Sequence, residues 1–260
     1  MIRSLAQFGL TQRLVSWCRQ IVVRPAADLL LAQSCALCQL PSHATPVCAA
    51  CAQDLPVLSE TRCPQCALPL GSAQSTCPDC TRHPPKFDAA HAAWAYDFPI
   101  DSLIRDFKYG HHLYLGGFFA EHLAKTVEED LMAFGQGRPD LIVPMPLHPN
   151  RLRTRGFNQA AEIARHLAKE LGIPCAFDAL IRVHDTPPQA GLPRDERWRN
   201  LVGAFACPSP LTANRVLLVD DVLTTGASLS ACAEVLRSAG VSRVDVAVVA
   251  RTLDTGSRNS

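Results

Sequence analysis

Two adjacent aspartates, Asp220 and Asp221, follow the apolar run Val216-Leu217-Leu218-Val219 and precede Val222-Leu223-Thr224-Thr225-Gly226-Ala227-Ser228. Carboxylates accept hydrogen bonds from sugar hydroxyls. A small, hydroxyl-rich loop running into a helix offers unpaired N–H groups to phosphate. This order of residue types describes a sugar phosphate site. The apolar run reads as a buried parallel strand covered on both faces, with the aspartates standing where it leaves the sheet. Open α/β sheets bind ligands at that carboxyl end. Leu229, Cys232 and Leu236 mark one face of the helix that the loop opens.

A second group of residues could hold anions. Asp140-Leu141-Ile142-Val143-Pro144 reads as another buried strand, and Met145-Pro146-Leu147-His148-Pro149-Asn150 as a rigid loop leaving it. Arg151, Arg153 and Arg155 follow, with no acid until Glu162. Guanidinium groups at a strand end, ahead of the helix opened by Phe157-Asn158-Gln159, suit a polyanion such as pyrophosphate. A solvated basic loop is the plainer alternative. That helix carries Ile163, Ala164, Leu167 and Leu171 and stops at Gly172. Leu180 to Val183 reads as a strand, and Gly203 to Cys207 as a short edge strand. Between them, the Pro- and Gly-rich stretch from Asp185, with Arg194, Arg197 and Arg199, suits either a lid or a surface helix.

The third chemistry is metal binding. Cys35/Cys38, Cys48/Cys51, Cys63/Cys66 and Cys77/Cys80 form four Cys-x-x-Cys turns in succession. Each turn sets two thiolates on one edge of a tetrahedron, and a second turn completes it. The short gaps point to two sequential sites, Cys35/Cys38/Cys48/Cys51 and Cys63/Cys66/Cys77/Cys80, with a cross-braced pairing as the alternative. Zinc suits the spacing, although mononuclear iron takes the same thiolate shell. The segment has neither a thioredoxin-like βαβ unit nor a ferredoxin spacing. The metal's expected role is structural, replacing a core too small to form. Cys18, Cys175, Cys207 and Cys232 have apolar neighbours and read as ordinary buried cysteines.

The elements that must position these groups divide the chain into three parts. Residues 1–34 read as a helical lead-in, 35–83 as a double zinc-ribbon module, and 86–255 as an α/β domain with a parallel sheet flanked by helices. Strands are expected at Ala90–Tyr96 and Val244–Val249. Helices are expected at Ile100–Tyr109 and along the apolar face Leu115, Phe118, Phe119, Leu123, Val127 and Leu131. Phe107-Lys108-Tyr109-Gly110-His111-His112 places a cation between two rings. A solvated loop is the first reading of it, and a ligand contact the second.

The chain has 260 residues, 48% hydrophobic and 19% charged, with a formal charge of +1. This excludes a broadly basic nucleic-acid binder. Two four-thiolate zinc sites would bring the sum to about −3, so any affinity for nucleic acid must come from local patches. No run reaches the length of a membrane span, and no signal-peptide core develops. A cytoplasmic protein is expected, and its cysteines point to metal before disulfides.

The strand-Asp-Asp-x-x-Thr-Thr-Gly-x-Ser pattern resembles the 5-phosphoribosyl-1-pyrophosphate (PRPP) signature of type I phosphoribosyltransferases. Joined to the cysteine region, it resembles the ComF family of competence and GntX-like proteins. Pro144-Met145-Pro146-Leu147-His148, Arg155-Gly156-Phe157-Asn158-Gln159 and Thr186-Pro187-Pro188-Gln189-Ala190-Gly191-Leu192 are similar to that family too. The resemblance implies a type I phosphoribosyltransferase-like sheet after a zinc ribbon. Asp220 and Asp221 would be its catalytic carboxylates, holding the ribose hydroxyls, and the PRPP site would run from Asp220 through Val222, Leu223, Thr224, Thr225, Gly226 and Ala227 to Ser228. Met145, Pro146, Arg151, Arg153 and Arg155 would lie near the pyrophosphate, with Mg²⁺ bridging pyrophosphate and ribose. A Walker B strand is the rival for Asp-Asp, but no Gly-Lys dipeptide exists here to make its partner loop.

Two classes of function follow from the resemblance. One is a PRPP-binding protein of natural competence, handling incoming single-stranded DNA in the cytoplasm beside other competence proteins, with Phe107, Tyr109 or Phe157 stacking on bases. The other is an active phosphoribosyltransferase working on a nucleobase-like acceptor in nucleotide metabolism. A base-recognition hood usually follows the last strands, and here only about Arg251 to Ser260 remains.

Overall fold

A computed structural model describes residues 33–42, 45–71, 75–184, 201 and 203–253. The helical lead-in up to residue 32, with Cys18, and the candidate lid at 185–200 lie outside these residues. The chain divides into two compact units, Met1–Asp54 and Leu55–Ser260.

In the first unit, β1 (Gln33–Ser34) pairs antiparallel with β2 (Pro41–Ser42), and α1 covers Ala49–Gln53. Among the described residues this scaffold is little more than two turns, and it carries Cys35, Cys38, Cys48 and Cys51.

The second unit begins with its own cysteine turns and α2 (Pro78–Arg82). The α/β body follows: β3 (Ala89–Ala95), α3 (Ile100–Tyr109), α4 (Leu115–Ala133), β4 (Leu141–Pro144), α5 (Pro149–Arg155), α6 (Gln159–Leu171), β5 (Ile181–Arg182), β6 (Phe205–Ala206), β7 (Arg215–Leu223), α7 (Ala227–Ser238) and β8 (Arg243–Arg251). The main sheet has the order β3-β8-β7-β4 and every pairing in it is parallel. β5 and β6 form a separate antiparallel pair.

Both faces of this sheet are covered, which is why its central strands read as unbroken apolar runs. Side chains alternate along a strand. On β7, Val216 and Leu218 pack into one core with Leu229, Cys232, Ala233 and Leu236 of α7. Leu217 and Val219, also fully buried, project to the other face, where α4 and α6 lie against the sheet. α6 starts at Asn158, whose side-chain oxygen accepts from the amides of Ala160 and Ala161, and ends at Gly172 with φ of 63°. Both ends follow from local sequence.

The edge strand β3 is buried along its whole length, His91 included. His91 Nδ1 lies 2.9 Å from Asp130 on α4, and the same carboxylate accepts from Arg62 at 2.5 Å. Arg62 stands one residue before Cys63, so this buried ion network ties the second cysteine cluster to the sheet. Trp94 stacks on Phe118 at 5.8 Å and meets Phe119 edge-on, filling the space under α4. No helix among the described residues is long and apolar enough to cross a membrane.

Candidate functional site

β7 does not leave the sheet at the aspartates. It continues through both of them to Leu223, paired with β8 as far as Arg251. Asp220 and Asp221 therefore project to opposite faces. Asp220 lines a pocket of about 210 Å³ with Val222, Thr224, Thr225, Gly226, Ala227, Ser228, Leu229, Arg151 and Arg182. Asp221 instead meets Lys108 of α3, whose Nζ lies 3.0 Å from its Oδ1. Sequence reading treated the two carboxylates as equivalent, and the pleat separates them.

Burial first, and then the charge of Asp221, pushes the carboxyl of Asp220 up to about 7. The Asp221 amide, which donates to Asp220 Oδ1 at 2.9 Å, works against that rise, as do Lys108 and Arg182. Burial opposes the charge on Lys108, but Asp221, aided by Asp220, outweighs it and raises the ammonium's pKa. The site is a carboxylate pair set among cations, suited to a ligand bearing hydroxyls and phosphate.

The loop after the strand turns at Gly226, whose φ of 75° places it in the left-handed region. A Cβ there would stand 3.3 Å from the ring of Phe87 and 3.4 Å from Leu223. α7 begins at the next residue, so its first amides have no partner within the helix and stand at the pocket wall. Thr224, Thr225, Gly226, Ala227 and Ser228 all line the one pocket.

The arginine segment differs from the expected loop. Arg151, Arg153 and Arg155 stand on a helix, α5, capped by His148 and closed by Gly156 at φ 84°. Their alternation in sequence spreads them around the helix. Arg151 reaches the pocket, Arg153 donates to Asn150 at 2.5 Å, and Arg155 donates to Gln159 at 2.8 Å and lies over the ring of Tyr109 at 5.2 Å. Met145 is buried, and its amide donates to Val219, so it shapes the floor between β4 and β7. Pro146, Arg153, Arg155, Asp221 and Leu223 are not among the residues lining the pocket.

Lys108 and Arg182 are the charged side chains beside the two aspartates that sequence reading did not place. Lys108 lay in a noted motif, but only the fold shows that the residue faces Asp221. No local signal marked Arg182. Phe107, one of the proposed stacking rings, is fully buried against Phe119 and Phe157 and cannot meet a base; Tyr109 is 65% exposed. Cys232 is buried as expected, whereas Cys175 and Cys207 are only half-buried.

The eight cysteines of the turns gather into Cys35/Cys38/Cys48/Cys51 and Cys63/Cys66/Cys77/Cys80, each set with its sulfurs within 4.8 Å of one another. A tetrahedral Zn–S bond of about 2.3 Å implies S–S edges of about 3.8 Å. The Cys38–Cys48 edge is 3.8 Å and the Cys66–Cys77 edge 3.5 Å, far too long for a disulfide. Backbone amides already point at the sulfurs: Cys48 N–H donates to Cys35 and Cys77 N–H to Cys63. Burial opposes a thiolate at Cys35, yet the amides of Cys38, Cys48 and Leu37 bring it down to about 6. The donor sets fit structural zinc, and the pairing is the sequential one. The first cluster is partly exposed, whereas all four cysteines of the second are buried.

Residues 156–259 match the phosphoribosyl transferase domain model and residues 26–81 the double zinc ribbon domain model. The chain is 33% identical over 224 residues to DNA utilization protein YhgH of Salmonella typhi, covering 84% of this chain and 97% of that one. It is 30% identical over 208 residues to competence protein F of Haemophilus influenzae, covering 79% and 90%. A purine phosphoribosyltransferase of Pyrococcus horikoshii is 19% identical, with a TM-score of 0.29 over 52% of this chain and 73% of that one. With the parallel sheet, the Asp220–Ser228 cradle and two four-cysteine clusters in place, the chain belongs to the ComF family: a zinc ribbon joined to a phosphoribosyltransferase-like domain.

Proposed function

We propose that the protein binds PRPP or a related phosphoribosyl ligand at Asp220–Ser228 and acts in natural competence, in the handling of incoming single-stranded DNA in the cytoplasm. The supporting observation is the single pocket that joins Asp220 to the Thr224–Ser228 cradle and to Arg151 and Arg182. Asp220 would take ribose hydroxyls, the first amides of α7 the 5-phosphate, and the guanidinium groups the pyrophosphate. Asp220 is also a hard oxygen donor of the kind Mg²⁺ accepts. The ion would bring charge neutralisation to the pyrophosphate while keeping mostly waters and ligand oxygens around it. The DNA role is supported by the names of the relatives, which are proteins of DNA utilization and competence, and other competence proteins are the proposed partners. The module boundaries at 34, 83 and 86 belong to the same proposal.

Calorimetry with PRPP and Mg²⁺ tests the reading. Wild-type protein should give a saturable heat that Asp220→Asn weakens at least tenfold. No heat with wild type would end it. Binding of a single-stranded oligonucleotide should fall steeply with salt and with Arg151→Ala or Arg155→Ala. Salt-independent binding would remove the arginines from the DNA role.

A further inference from the structure

Arg251, the last residue of β8, is 5% exposed, and its guanidinium binds two segments distant in sequence. Its Nε donates to the carbonyl of Cys66 at 2.7 Å, within the second cysteine cluster. Its Nη1 is shared among the carbonyls of Leu223 at 2.9 Å, Thr224 at 2.6 Å and Thr252 at 2.7 Å. The Thr252 amide also donates to Leu223, at 3.1 Å, so the end of β7 is held from two sides.

A peptide unit is planar and trans. Fixing the carbonyls of Leu223 and Thr224 toward Arg251 therefore turns the N–H groups of Thr224 and Thr225 away from it. Those residues open the phosphate cradle and line its pocket. A buried guanidinium also needs a counter-charge. A zinc ion with four thiolates carries roughly −2 and supplies that counter-charge permanently.

We propose that Arg251 is a positioning residue that couples the second zinc site to the phosphate cradle, so that the metal at Cys63/Cys66/Cys77/Cys80 sets the cradle's shape. The naming of PRPP as the ligand rests on the proposed function, but the coupling itself can be read without any ligand.

Hydrogen exchange on the full chain tests it. In Arg251→Gln, and in protein stripped of zinc by a chelator, amides of residues 224–228 should exchange at least about tenfold faster, while those of 217–219 on β7 keep their wild-type rates. Metal analysis of Arg251→Gln should still find two zinc ions, because the substitution removes no ligand. Arg251→Lys, which keeps the charge with fewer donors, should fall between the two. Unchanged exchange at 224–228 in Arg251→Gln, or equal acceleration along the whole of β7, would overturn the coupling. Calorimetry then separates this proposal from the functional one. PRPP binding weakened tenfold or more in Arg251→Gln carries the coupling to the ligand, and binding of wild-type strength in Arg251→Gln overturns that extension. Absence of wild-type PRPP binding overturns the ligand reading, and the exchange rates still decide the role of Arg251.

Discussion

The ammonium of Lys108 lies 3.0 Å from the carboxylate of Asp221, joining the end of α3 to the functional end of β7. Their side chains are 21% and 13% exposed, so each is a poorly solvated charge whose main compensation is the other. Removing one partner leaves the second uncompensated. Lys108→Met should cost on the order of 2 kcal/mol of stability, and adding Asp221→Asn should restore part of it. A double-mutant cycle by urea denaturation checks this. Additive losses would mean that the pair contributes nothing beyond its separate packing.

Asp220 should impose a pH dependence on folding. Its carboxyl, pushed up to about 7 by burial and by Asp221, keeps a proton in the folded state that the unfolded chain has released above about pH 4. The folded state thus binds more protons between about pH 4 and 7, and stability falls as pH rises through that window. Asp220→Asn removes this term. The variant should gain on wild type by on the order of 4 kcal/mol at pH 8 and by nothing near pH 4. Urea midpoints across pH measure it, and a parallel offset at all pH values would contradict it.

The two zinc sites should differ in lability. Cys38 is exposed and Cys48 and Cys51 are half-buried, whereas Cys63, Cys66, Cys77 and Cys80 are all buried. A chromogenic chelator should remove about one zinc per chain quickly and the second slowly. Cys48→Ser should abolish the fast phase and Cys77→Ser the slow one. A single phase in wild type would show that burial does not govern release.

Gly226→Ala tests the cradle's backbone. The left-handed φ of 75° and the 3.3 Å approach to Phe87 both penalise a Cβ. The substitution should cost about 1 to 3 kcal/mol of stability and weaken phosphate-ligand binding more than Leu229→Ile, which stays within the apolar face of α7. Denaturation and calorimetry measure the two effects separately.

Much of this protein is legible in its sequence because the signals are local. Four Cys-x-x-Cys turns at short intervals point to two metal sites, since each turn presets one tetrahedral edge, while the choice of sequential over cross-braced pairing came from the fold. Val216–Val219 and Val244–Val249 announce a sheet covered on both faces by having no polar alternation. Asn158 and Gly172 mark the ends of α6 by their capping chemistry, and Thr224 to Ser228 stand out as a small polar loop by composition. Tertiary structure decided what depends on residues distant in sequence. It separated Asp220 from Asp221, because β7 stays paired with β8 beyond the point where polarity suggested an exit. It brought Lys108 to Asp221 and Arg182 to Asp220 from segments whose local patterns carry no such instruction, and it buried Phe107. Arg251 completes the contrast. In the sequence it stands just beyond the last expected strand, yet it is buried between a cysteine turn and the loop after β7. Patterns of period two and 3.6 reveal which face is buried, but the partner of a buried charge is chosen by packing.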